Sequence, residues 1–396
     1  MIKITKHKRL KKGGLLLLLS LFLAAVAVAF IFQNVAGDQA ASTVVESEPN
    51  PNVELSFVAV GDDLIHGAVY RTAKEAAGGE GYDFTPVYKA VEPLIKGSDV
   101  AFINQETPLG GTALGISSYP AFNSPQELGD YLHSVGFNLI CHANNHILDK
   151  GSKGMRATLE YWKQYSDVAV AGAYLNKEAS DSVHMIEKKG VKIAFLAYTY
   201  GTNGLSLPRN SEMIVAGIGK DKIAADVTKA NAVADLVVVS MHWGNEYQTT
   251  ITEQEKDLAQ YLANLGVDIV VGHHPHVIQN MATLTGKYGN KTVVAYSLGN
   301  FVSAQHKSET MLGGMMKAKI IYNTDTKQVK VENARFIPLV THYDKGVNNV
   351  RVIPFADYTE ELALVHGIRA YESYFSKSYL QSLLYKVVLP KYIATE

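Results

Sequence analysis

Leu236-Val-Val-Val-Ser-Met-His242-Trp-Gly-Asn-Glu246 and Ile269-Val-Val-Gly-His-His-Pro-His276 decide how this chain is read. Each is a short apolar run that breaks into residues able to carry chemistry. Residues 252–265 between them have the spacing of an amphipathic helix. Run, helix and run make one strand–helix–strand unit, so the two strands are expected side by side and parallel, with His242 and His274 leaving the sheet at one edge. The same alternation fills the chain. Strand-like runs at 53–60, 99–104, 138–143, 168–171, 191–198 and 292–297 interleave with helical periods at 124–135, 154–165 and 221–233. Interleaving of this kind predicts an α/β fold whose strands are covered on both faces. Residues 315–322 and 328–337, joined by Asn323-Thr-Asp-Thr-Lys327, read as an antiparallel hairpin, and 359–388 as a helical tail.

The polar clusters all follow strands. The run at 53–60 leads into Gly61-Asp62-Asp63, the next into Gln105-Glu106, and the third into His142-Ala-Asn144-Asn145-His146. Ligands of open α/β sheets bind beyond the carboxyl ends of strands, so Asp62, Glu106, Asn145, His146, His242, His274 and His276 are expected on one rim. Imidazole, carboxylate and carboxamide without thiolate suit a divalent Mn, Zn or Fe ion. Such an ion polarises a phosphoryl oxygen and makes bound water a nucleophile at neutral pH. Around this set, His273 reads as a ligand or its support, and Asp63 as a neighbouring carboxylate or a solvated one. Glu246 is expected at substrate or beside the ligands, and Asn300 at ligand or in a structural turn. Asp149 reads as the cap of a helix starting near Gly151. His66, His133, His184, His306, His342 and His366 read as surface or capping residues.

The 396 residues are 47% hydrophobic and 19% charged, a globular composition that excludes disorder as the main state. Lys3, Lys6, Lys8, Arg9, Lys11 and Lys12 precede an uncharged run at 15–32, and no acidic residue occurs before Asp38. That run is long enough to span a bilayer, and the basic flank places residues 1–14 in the cytoplasm and the main domain outside. A cleaved signal peptide fits less well, because the run is long and no small-x-small site follows at once. Residues 33–52 then form a tether, 53–345 the main domain and 346–396 a C-terminal helical extension. Setting the six flanking bases aside leaves 31 Lys and Arg against 38 Asp and Glu, a formal charge of −7. Nucleic acid is not the expected partner of so acidic a domain. Cys141 is the only cysteine and sits in an apolar stretch, which predicts a buried structural thiol.

The blocks Gly61-Asp62, Asn104-Gln-Glu106-Thr-Pro108, Ala143-Asn-Asn-His146, His242-Trp-Gly-Asn-Glu-Tyr247, Gly272-His-His-Pro-His276 and Tyr296-Ser-Leu-Gly-Asn-Phe301 resemble, in order, those of the bacterial poly-gamma-glutamate capsule-synthesis (CapA-type) family. That family is itself similar to the calcineurin-like metallophosphoesterases. The resemblance implies a sandwich of two mixed sheets flanked by helices. It also implies that Asp62, Glu106, Asn145, His242, His274 and His276 take metal-ligand positions, with His146 protonating a leaving group. Two positions depart from the phosphoesterase pattern: its Asp-x-His reads Asp62-Asp63-Leu64 here, and Glu106 stands for a bridging aspartate. The implied setting is a capsule synthesis or export complex at the membrane, acting on an anionic polymer or phosphoester. The rival expectations are a non-catalytic assembly subunit and a wall-polymer hydrolase or transferase.

Overall fold

A computed structural model of the protein describes residues 51–394. The strands are, in chain order, β1 (Asn52–Asp63), β2 (Val100–Gln105), β3 (Leu139–Cys141), β4 (Ala169–Ala171), β5 (Ala173–Tyr174), β6 (His184–Lys188), β7 (Val191–Thr199) and β8 (Ile214–Val215). They continue as β9 (Leu236–His242), β10 (Ile269–His273), β11 (Met281–Thr285), β12 (Lys291–Ala295), β13 (Asn300–Val302), β14 (Leu312–Asn323), β15 (Val329–Asp344) and β16 (Asn348–Pro354). One mixed sheet runs β16-β15-β14-β1-β2-β3-β4, with β13 paired to β1, and a second runs β11-β12-β10-β9-β7-β6. β5 and β8 form a small ribbon.

Residue types explain which strands lie where. β9 is buried at every position, as a parallel strand covered on both faces must be, and its run is accordingly apolar almost throughout. β14 alternates buried and half-buried residues along its outer half, and it pairs antiparallel with both β1 and β15. The helix Glu253–Asn264 begins at a capping box, in which Thr252 accepts from the Glu255 amide and Glu255 reaches back to the Thr252 amide. The core between the sheets includes Phe57, Phe102, Ile103, Phe195 and Val271, with Phe102 and Phe195 edge to face at 5.6 Å. A second core packs Val237, Val239 and Met241 under Ile223, Leu258 and Leu262. Close backbone approach requires glycine at two strand ends. A Cβ on Gly61 would lie 1.9 Å from the Gly299 carbonyl oxygen, and one on Gly272 1.9 Å from that of Tyr296.

Several expectations need correction. The C-terminal stretch is not wholly helical, because β16 continues the first sheet beyond residue 345. The chain after β16 is broken into Glu360–Val365, a 3-10 turn at Gly367–Ala370 and Lys377–Val387, and it returns to the sheet where the Phe336 amide donates to the Tyr392 carbonyl. His342, read as a surface or capping residue, lies inside β15, whereas His366 does cap the 3-10 turn Gly367–Ala370, its Nδ1 accepting from the Ile368 amide. Both are buried, with their rings edge to face at 4.6 Å. Asp149 caps no helix: the helix Gly151–Trp162 starts without a side-chain cap. Cys141 is buried and free, and burial pushes its thiol up to about 12. The anchor expected at 15–32 lies outside the described residues, as do 1–14 and the tether up to residue 50. Among the described residues no helix is long and apolar enough to cross a membrane.

Candidate metal centre

The parallel strands β1 and β2 of one sheet and β9 and β10 of the other end at a common rim. β9 and β10 are in register with His242 opposite His273, so the neighbouring His274 leaves the sheet beside His242 with ring centroids 4.8 Å apart. His274 and His276 have φ of +97° and +58°, conformations that cost energy in non-glycine residues and cluster at functional sites. The kinked Gly272-His-His-Pro-His276 segment thereby turns His276 back onto β1, where its Nδ1 lies 3.0 Å from Asp62 Oδ2 and 3.1 Å from Asn300 Oδ1.

Asp62 and Glu106 complete the cluster from the first sheet. Asn104 Nδ2 donates to Asp62 Oδ1 at 2.8 Å and to Glu106 Oε2 at 3.3 Å, which leaves Glu106 Oε1 3.7 Å from His242 Nε2 and 4.0 Å from His276 Nε2. Asn145 Oδ1 lies 3.0 Å from His242 Nε2. Glu106 Oε1, His242 Nδ1 and His274 Nδ1 are buried with no hydrogen-bond partner among the described residues. Unpartnered buried groups are costly, so several among neighbouring side chains are a sign of a ligand. Asp62, Glu106 and His276 present ligand atoms within 4.8 Å of one another, and so do Glu246, His274 and His276. The two triads share His276. Their nitrogen and oxygen donors fit a divalent cation.

Electrostatics divide the two carboxylates. Burial works to raise the Asp62 carboxyl, but hydrogen bonds and positive charge from His273 and His276 outweigh it and hold it well below the usual range. Burial, and next the charge of Asp62, hold the Glu106 carboxyl well above that range. Burial, then repulsion from His274, keeps His242 well below the ordinary histidine value, and burial pushes His274 down to about 3. Both imidazoles are therefore neutral, with lone pairs free to bind a cation.

The remaining expected residues are distributed unevenly. His146 stands on the wall of a cavity of about 880 Å³ that also meets Asn145, Glu246 and His276. Its Nδ1 lies 2.8 Å from Asp149 Oδ2, and Phe122 packs edge-on against its ring at 4.8 Å. The Asp149 carboxylate, which also accepts from the Phe122 amide, is thus a fixed partner for the histidine. His273 stacks on Phe102 at 5.2 Å, and its Nδ1 is 3.4 Å from Asp62 Oδ1, behind the rim. Asn300 secures His276 while its amide donates to Ser303, Gln305 and the Thr310 carbonyl. Asp63 does not join the cluster. Neighbouring strand residues face opposite ways, and its Oδ1 takes a 2.5 Å hydrogen bond from the Tyr88 hydroxyl in the core, where burial pushes it up to about 7.

Sequence reasoning assigned no role to Asn104, Tyr200 or Asn203. Tyr200 lies 4.5 Å from the His274 ring, and the Asn203 carboxamide accepts from Asn145. The signal was present: Tyr200-Gly-Thr-Asn203 follows β7, which neighbours β9 at the same edge. His66, read as a surface or capping residue, stands at the N-cap position of the helix Gly67–Ala76 without a side-chain cap, and it also lines the cavity.

These features define a class: a two-sheet mixed α/β protein with a buried histidine–carboxylate cluster, suited to a divalent cation, at the strand ends beside an open cavity. The family model described as "Bacterial capsule synthesis protein PGA_cap" matches residues 56–305, which include every residue of the cluster. The chain belongs to that family. It is similar to the PGA biosynthesis protein CapA of Bacillus subtilis (29% identical, covering 78% of each chain). It is also similar to the capsule biosynthesis protein CapA of Bacillus anthracis (31% identical, covering 78% of this chain and 75% of that one). Among solved structures it is similar to the calcineurin-like phosphoesterase YfkN of Bacillus subtilis (13% identical, TM-score 0.42, covering 84% of this chain and 100% of that one).

Proposed function

We propose that this chain is a membrane-anchored, outward-facing component of capsule biosynthesis whose rim holds a divalent metal and hydrolyses a phosphoester in the making or processing of an anionic polymer, poly-gamma-glutamate or a related one. The observation that carries the reading is that Asp62, Glu106 and His276, and likewise Glu246, His274 and His276, present ligand atoms within 4.8 Å of one another, with Glu106 Oε1 buried and without a hydrogen-bond partner among the described residues. Asp62, Glu106, Asn145, His242, His274 and His276 would hold the ion, with Glu246 in reach from the cavity side. A bound divalent ion supplies charge for a phosphoryl oxygen and a water acidic enough to lose its proton.

The protein's own residues do the rest. Asp62, kept ionised by its histidines, fixes the imidazole of His276. His146, its Nδ1–H held by Asp149, would act in its imidazolium form, giving the Nε2 proton to the leaving oxygen at the cavity wall and being left as neutral imidazole. Phe122 and Leu64 keep that wall apolar. The anchor rests on the basic flank and the apolar run at 15–32, and the setting in a synthesis complex on the family.

Leu64 favours a second reading. It lines the cavity at the position where the phosphoesterase pattern has a histidine, and a pocket so altered suits a non-catalytic subunit that holds nascent polymer during assembly. Metal content and phosphodiesterase turnover, measured together on the purified protein, decide between them. Stoichiometric metal with turnover is expected, and metal without turnover on any phosphoester would favour the assembly role. N-terminal sequencing of membrane-associated protein tests the anchor, which a mature start between residues 36 and 52 would rule out.

A further inference from the structure

A second concavity, of about 640 Å³, lies along the first sheet toward the start of β1, lined by Lys189, Lys317, Lys319 and Arg335 together with Glu54 and Asp99. Ser56, also in its wall, is six residues before Asp62, so the groove is roughly 20 Å from the rim at about 3.3 Å per strand residue. Two of its four cations are neutralised: Lys189 Nζ is 2.9 Å from Asp99 Oδ1, and Lys319 Nζ 2.7 Å from Glu54 Oε2. Lys317 and Arg335 have no carboxylate partner among the described residues, the Arg335 guanidinium donating only to the carbonyl of Ala334.

These two lie directly opposite each other in β14 and β15. Like charges so placed destabilise a sheet, and nothing in the strand pairing requires them. The ladder is also irregular here. Its register shifts between Lys317 and Lys319, and Asn333 takes a φ of +53°, so the bulge re-aims side chains at this point. Lys317 is half-buried, and desolvation pushes its ammonium below the ordinary lysine value. An anion between the two side chains would remove both penalties, and the planar guanidinium of Arg335 suits a two-oxygen contact.

The geometry points to an oxyanion-binding site in this groove, for a compact ligand bearing two or more phosphate or carboxylate groups, held chiefly by Lys317 and Arg335. The site is separate from the metal rim and does not depend on its chemistry.

The test is calorimetric titration of the full-length protein, stripped of metal and dialysed free of chelator, with pyrophosphate as the phosphate probe and citrate as the carboxylate probe. Saturable binding of at least one probe is expected, weakened tenfold or more in both Lys317→Gln and Arg335→Gln. It should be unchanged in His276→Ala and in Lys287→Gln, a lysine outside the groove. The better-bound probe identifies the class of oxyanion. The thermal midpoint should rise with that probe in the wild type and stay level in the double variant. No saturable binding of either probe would overturn the proposal. So would binding indifferent to Lys317 and Arg335, lost in His276→Ala, or weakened equally in Lys287→Gln. Metal content of Arg335→Gln, expected to be normal, keeps this outcome distinct from that of the rim.

Discussion

Under the proposed function, replacing His146 with Ala removes the proton donor while leaving the proposed ligands in place, since His146 contacts Asp149 and Phe122 rather than Asp62, Glu106 or His276. General acids contribute roughly 10²- to 10⁴-fold, about 3–5 kcal/mol of barrier. Turnover of an unactivated alkyl phosphoester should fall within that span. An aryl ester whose leaving group is already a weak base needs little protonation and should be cleaved nearly as fast as by the wild type. Asp149→Ala gives an intermediate case. It leaves a buried imidazole N–H unpaired, at a cost of about 1–3 kcal/mol, and the same charge in ring orientation corresponds to roughly 5- to 150-fold in rate on the alkyl ester. Asp149→Asn keeps an acceptor for both His146 and the Phe122 amide and should lie closer to the wild type. The assay compares the two esters across the three variants, with metal content measured in each. Equal loss on both esters, or loss of metal in His146→Ala, would refute the assignment.

His276→Ala should cost metal occupancy far more than fold stability, because its ring belongs to both triads; elemental analysis beside an unfolding curve checks this. Gly61→Ala should destabilise by on the order of 3 kcal/mol, since its Cβ would meet the Gly299 carbonyl oxygen at 1.9 Å, and denaturant melts would show it. Burial holds His342 down to about 4 and His366 to about 3, whereas the unfolded chain takes these protons near 6.5. Their contribution is present above pH 6.5 and is lost as the pH falls toward 4, at about 1.4 kcal/mol per unit for each. Urea melts of metal-free protein at pH 7 and pH 5 should accordingly show a smaller acid loss in His366→Gln than in the wild type.

Much of the fold was legible in the order of residues. Apolar runs of strand length, interrupted by helical period, placed β1, β2, β7, β9, β10 and β12 within a few residues of their observed ends, because burial on both faces demands such runs. The hairpin of β14 and β15 was legible too, from its Asn-Thr-Asp-Thr turn. The repeated placement of polar clusters after strands located the rim, since a parallel sheet brings every strand end to one edge. His242 and His274 follow from that rule alone.

Tertiary structure decided which groups face one another. Adjacent Asp62 and Asp63 look alike in sequence, yet strand alternation aims the first at His276 and the second at Tyr88. Asp149 has the spacing of a helix cap, and only the packing of Phe122 against His146 makes it that histidine's partner. Asn104 bridges two carboxylates because β1 and β2 pair in one particular register. His342 and His366, unremarkable singly, are buried together because the C-terminal segment returns to cover β15. Local sequence sets period, caps and turns, since those depend on neighbours in the chain. Which side chains meet across a sheet depends on register, bulges and the direction of each Cα–Cβ bond, which are settled only when distant strands have packed.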